Sequence, residues 1–126
     1  MLEDASPQAI CVHVSTNDIG NNKTVSEIED EMEELIVLIK QKGILPIISL
    51  VLPRNDKHAQ KVKLVNDKII ALCSCYNVCY IEHKNIKTEH LNPGGVHLVE
   101  KFKQLFTDNL VNHFNYICDN KNNYFR

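Results

Sequence analysis

Two short stretches of the chain place side chains able to do chemistry at the end of an ordered element. Ser15-Thr16-Asn17-Asp18 follows the apolar run Ala9 to Val14 and offers an amide N–H donor, a carboxylate and two hydroxyls. Leu91-Asn92-Pro93-Gly94-Gly95-Val96-His97-Leu98 opens the last helical stretch and offers an imidazole, the group best suited to moving a proton near neutral pH. Both stretches also admit plainer roles. Asn17 and Asp18 close turns through their own side chains, and His97 is then simply a residue at a helix start. His13, inside the first apolar run, and His83 and His90, in the last loop, read as core-edge or surface residues.

A nucleophile is harder to find. The serines are Ser6, Ser15, Ser26, Ser49 and Ser74, and none stands in a Gly-Asp-Ser context or a G-x-S-x-G elbow. Ser15 is the one at a strand's carboxyl end, where it adjoins Asn17 and is poorly placed to attack. The cysteines, Cys11, Cys73, Cys75, Cys79 and Cys118, are odd in number, lack C-x-x-C pairs and have no histidine at a matching distance. They read as buried thiols, and neither a disulfide framework nor a metal site is expected.

The elements that must position these residues alternate. Ala9 to Val14, Leu45 to Leu52 and Val78 to Ile81 are short β-type runs, and each is followed by helical periodicity. Thr24-Val25-Ser26-Glu27 has the form of a capping box, Ile28, Met32, Leu35, Ile36 and Ile39 recur on one face, and Gly43 supplies a left-handed helix end. Val62, Val65, Ile69 and Leu72 line a second helix, and Leu98, Phe102, Leu105, Phe106 and Leu110 a third. Ser15 to Asn22 reads as a loop. The order β-α-β-α-β-α predicts a parallel α/β sheet whose chemistry belongs to the loops after Val14, Leu52 and Ile81.

Composition bounds the rest. A chain of 126 residues, 44% hydrophobic and 24% charged, suits one domain, with a core over about 8–117 and a polar tail over 118–126. Lys and Arg total 14 against 16 Asp and Glu, so nucleic-acid binding is not indicated. No basic-then-apolar start suggests a signal peptide, and no run reaches the roughly 20 apolar residues that span a bilayer. The expected location is therefore cytoplasmic by default. The acidic run Glu29 to Glu34 falls mostly on a solvated helix face.

The two candidate stretches, in this order and spacing, resemble the SGNH/GDSL hydrolase family. Thr16-Asn17-Asp18 is similar to the family's Gly-x-Asn-Asp block, with Ser15 in place of Gly, and Leu91 to Leu98 is similar to its Asp-Gly-x-His-Leu segment. The likeness runs through Ile48 to Arg54 and Val65-Asn66, covers roughly residues 8 to 112, and looks most like a branch associated with mobile elements. It implies a flavodoxin-like three-layer α/β/α sandwich of ester-hydrolase ancestry, here truncated to about three β-α units. It further implies Asn17 as the oxyanion-hole donor, His97 as the general base, and Ser15, Thr16 and Asp18 beside an ester or acyl substrate.

Departures from that pattern shape the functional expectation. The Gly-Asp-Ser block has no counterpart, and Gly94 stands where the family's Asp would orient the histidine. Asn17 and His97 are thus expected as vestiges in a domain without catalysis of its own and without a cofactor. The resemblance also implies that the strand over Ala9 to Val14 is an exposed edge, open to a second copy or another partner chain.

Overall fold

A computed structural model describes residues 9–14, 16–95 and 97–119. Three parallel strands, β1 (Ala9–His13), β2 (Leu45–Ser49) and β3 (Cys79–Ile81), pair in the order β1-β2-β3. The helices are α1 (Thr16–Gly20), α2 (Val25–Gln41), α3 (Ala59–Tyr76) and α4 (Lys103–Asp119), with 3-10 turns at Thr88–His90 and Glu100–Phe102. The α/β class and the three units expected from the alternation are present. Residues 120–126, the rest of the expected tail, lie outside the described residues.

Strand parity sorts the core into two layers. Val12, Ile48 and Tyr80 share one face, where Ile28, Met32 and Ile36 of α2 and Val62, Val65 and Ile69 of α3 close over them. Cys11, Ile47 and Cys79 share the other, covered by Leu110, Phe114 and Ile117 of α4. The result is an α/β/α sandwich. Every residue of β2 is buried, as expected of a central parallel strand, while four of the five residues of β1 are only half-buried. β1 is an edge strand, with no neighbour on its far side among the described residues.

Local chemistry explains the helix limits. The Thr24 hydroxyl accepts from the Glu27 backbone N–H at 3.0 Å and the Glu27 carboxylate accepts from the Thr24 N–H at 2.9 Å, completing the expected capping box. Gly43, at φ +73°, ends α2 in the left-handed region, and Asn77, at φ 55°, does the same for α3.

Three stretches differ from the sequence reading by more than one residue. β2 stops at Ser49 instead of Leu52: its partners end at His13 and Ile81, and Leu50 and Val51 run on as a wall of the core. The stretch read as a loop after β1 begins with the single-turn helix α1. The last helix starts at Lys103, since Leu98 pairs with Leu91 in an isolated antiparallel bridge and a 3-10 turn intervenes.

Candidate functional site

Loops from the carboxyl ends of all three strands converge around Arg54. Its side chain is 7% exposed and bonds Asp56 in bidentate fashion, Nε to Oδ1 at 3.0 Å and Nη2 to Oδ2 at 2.5 Å. Nη1 donates to the Thr16 carbonyl at 2.9 Å and to the Thr16 hydroxyl at 3.1 Å. Arg54 thereby ties α1 to the loop after β2, and Ile19 anchors the same turn in the core at 0% exposure. Lys61 adds a third tie from α3, donating to the carbonyls of Ile19 at 3.0 Å and Lys23 at 2.5 Å. Chiefly through the Arg54 hydrogen bonds, the carboxyl of Asp56 is held down at about 2.

The hairpin carrying His90 to Leu98 docks on the same loop. Asn55 N–H donates to the Gly95 carbonyl at 2.6 Å. Gly95 adopts φ +73°, and a Cβ there would lie 2.9 Å from the Asn55 carbonyl oxygen, so both backbone angle and space demand glycine. On the α3 side, the Asn66 amide accepts from Val51 N–H at 2.9 Å and donates to Val51 C=O at 3.1 Å, replacing a strand partner where β2 has left the sheet.

The expected site residues that are described differ in their engagement. Asn17 lies in α1 and its side chain, like Ser15 as a whole, is outside the described residues. Thr16 is occupied by Arg54, and Asp18 lies 4.0 Å from Lys23. His97 is exposed, and among the described residues its side chain has no hydrogen-bond partner; only its carbonyl is used, accepting from Asn92 N–H at 2.7 Å. His90 is the more ordered imidazole of the hairpin. Its ring rests 4.4 Å from Phe102, and Nδ1 accepts from Lys87 N–H at 3.0 Å. That bond puts the proton of the neutral ring on Nε2, which leaves no free lone pair to act as a base.

A cluster that sequence reasoning passed over lies at the α4 side of the strand ends. Ser49 Oγ is 2.9 Å from Nδ1 of His13 and 2.7 Å from Nε2 of His83, and His83 Nδ1 is 3.0 Å from Nδ2 of Asn109 on α4. His13 and Ser49 are register partners, so parity and strand order together predict their meeting, whereas His83 arrives from the loop after β3. A serine within reach of imidazole invites a nucleophilic reading, but Ser49 is 0% exposed. Ser26 and Ser74 are exposed and have no histidine partner among the described residues.

A cavity of about 380 Å³ opens between the loops after β2 and β3, over Leu50, Val51, Val62, Ile70 and Ile86, with His83 in its wall. Thr16, Asp18 and His97 do not line it. Burial pushes the Cys73 thiol up to about 12, which suits an inert core residue. Among the described residues no cluster of three or more His, Cys, Asp or Glu is arranged to hold a metal, and no helix is long and apolar enough to cross a membrane.

No protein-family model matches the chain, and no curated protein is significantly similar to it in sequence. Solved structures do match. A GDSL-like lipase from Bacteroides thetaiotaomicron superposes with a TM-score of 0.77 at 15% identity, over 91% of this chain and 65% of that one. A lipolytic G-D-S-L protein from Veillonella parvula gives 0.71 at 20% identity, over 87% and 65%. The OSK domain of Drosophila Oskar gives 0.56 at 20% identity, over 73% and 45%. The chain thus has an SGNH/GDSL-hydrolase-like fold and spans about 65% of the length of the lipase it matches.

Proposed function

We propose that this chain is the Asn- and His-bearing part of an SGNH-type ester-hydrolase domain, and that by itself it does not turn over an ester. One observation carries the reading: among the described residues, the serine within hydrogen-bond reach of an imidazole, Ser49, is sealed in the core. His90, with Nδ1 capped by a backbone N–H, and His97, whose side chain has no partner among the described residues to orient it, support the same conclusion from the side of the base. The likeness to the GDSL-like lipase and the lipolytic G-D-S-L protein supports an ester or acyl group as the substrate class of the ancestral site. Asn17 and His97 are its vestigial oxyanion donor and base, with Ser15, Thr16 and Asp18 beside the substrate.

Hydrolysis of a short-chain aryl ester tests this, with Asn17→Ala, His97→Ala and heat-inactivated chain as controls. No turnover above the inactivated control is expected. Turnover by the unaltered chain that both substitutions abolish defeats the reading.

The half-buried edge strand favours a second reading, an interaction module that pairs through β1 with a second copy or another chain. Ala9, Ile10, Cys11 and Val12 form an apolar edge of a kind that parallel sheets normally cover. With a second copy as the partner, dimers form in solution and the β1 amides are protected from exchange; a monomer with freely exchanging β1 amides rules out the second copy.

A further inference from the structure

The Ser49 cluster joins three strand ends to α4, and its chemistry is independent of whether the chain acts on an ester. Phe106 of α4 stands over both imidazoles, its ring centroid 4.8 Å from that of His13 and 5.0 Å from that of His83. Asn109, one turn further along, faces His83 Nδ1 and exchanges amide hydrogen bonds with Asn85 at 2.8 and 3.2 Å. Below this cluster the helix has a modest apolar seat, in which Leu110, Phe114 and Ile117 meet Leu45, Ile47 and Ile81. We propose that His13, Ser49 and His83 form an acid-sensitive latch that holds α4 over the carboxyl ends of the strands and releases it when both imidazoles are protonated.

The argument is a count of protons. A serine hydroxyl has one to give. With both rings neutral, one donates to Ser49 Oγ and the hydroxyl donates to the other. One added proton is accommodated on His13, the exposed ring: its Nδ1–H donates to Oγ, the hydroxyl turns to Nε2 of His83, and the amides of Asn109 and Asn85 turn together to present an oxygen to His83 Nδ1–H. A second proton has no such solution. Both rings then donate to Oγ, the hydroxyl of a serine at 0% exposure loses its acceptor, and two cations stand across one oxygen. Water relieves this only if the rings turn outward, which removes the seat of Phe106 and the partner of Asn109.

The charges around the cluster reinforce the direction. His83 faces His13 from β1 and His113 from α4, while its chain neighbours Glu82 and Lys84 lie 3.8 Å apart and largely answer each other. β2 contributes no titratable group. Burial first, then the two histidines, push His83 down to about 4. His13 is exposed as a residue, but partial burial of its ring lowers it as well, opposed by a hydrogen bond to the Ser49 backbone. A histidine lowered on folding stabilises the docked state fully above its ordinary value of 6.5, and that stabilisation is lost as the pH falls towards about 4.

Amide exchange followed by NMR, expressed as protection factors and combined with titration of the ring resonances, tests the latch. Between about pH 7 and about pH 4.5, protection across α4 is expected to fall about tenfold or more while that of α2 holds. His83→Gln, which keeps a polar group near Ser49 but does not titrate, flattens the dependence. Asn109→Asp acts oppositely: a carboxylate facing Nδ1 favours the charged ring, and α4 stays protected to lower pH. The latch is overturned if α4 and α2 lose protection together, if His83→Gln keeps the original pH dependence, or if Asn109→Asp makes α4 more acid-labile.

Discussion

The two faces of the sheet are closed by different chemistry. On one, α2 and α3 bury a continuous apolar layer in which Ile36, Ile48 and Ile69 are all at 0% exposure. On the other, α4 contributes, among the described residues, one buried side chain, Ile117, and rests otherwise on half-buried Leu110 and Phe114 and on the polar cluster around Ser49. Apolar burial is indifferent to pH and non-directional, whereas a hydrogen-bonded cluster holds only in particular protonation states. The α2/α3 face therefore sets the stability of the domain, and the α4 face sets its response to conditions.

Denaturant unfolding of core variants is the severest way to break this comparison. Ile69→Ala removes a side chain at 0% exposure and is expected to cost about 2–5 kcal/mol. Phe114→Ala, although it deletes a larger group, is expected to cost roughly half as much because its site is half open to solvent. Equal losses would make the two faces equivalent and defeat the distinction.

A smaller effect is expected where the first face meets the site. Arg54→Ala strips the clamp from Thr16 and Asp56 while leaving Ile19 in the core. Amide exchange in α1 should then quicken by about tenfold, with α3 unaffected. If α1 keeps its protection, Ile19 and the Lys61 ties suffice to hold it. The smallest expected change is Thr24→Ala, which opens the capping box of α2 at a cost of about 1 kcal/mol, read from a shift in the unfolding midpoint. A loss as large as that of Ile69→Ala would show that α2 is held by its cap more than by its buried stripe.

Much of this was legible along the chain. Thr24 and Glu27 announce the start of α2 because a capping box is a local arrangement of four residues, and Gly43 announces its end because few other residues tolerate φ +73°. α1 was not legible, since Thr-Asn-Asp-Ile-Gly has weak helix propensity and is held by Arg54 and Lys61 from 38 and 42 residues away. The end of β2 was hidden for a related reason: Leu50 to Leu52 are as apolar as a strand, and only the ends of β1 and β3 determine where pairing stops. For the site, the sequence named the loops after the three strands, which do converge around Arg54, but ranked its histidines without knowing their partners. It could not show that His90 is capped by Lys87, or that His83 reaches Ser49.

By itself, then, the sequence determined the α/β alternation, the caps, the apolar stripes and the absence of a Gly-Asp-Ser block, all of which depend on residue type and short-range spacing. The tertiary structure alone decided that Ser49 is buried between two imidazoles, that Arg54 carries α1, and that the faces of the sheet differ in kind. Those properties arise from contacts across 34 to 38 residues of chain, where burial and hydrogen-bond geometry are set by how the layers pack and not by any neighbour in sequence.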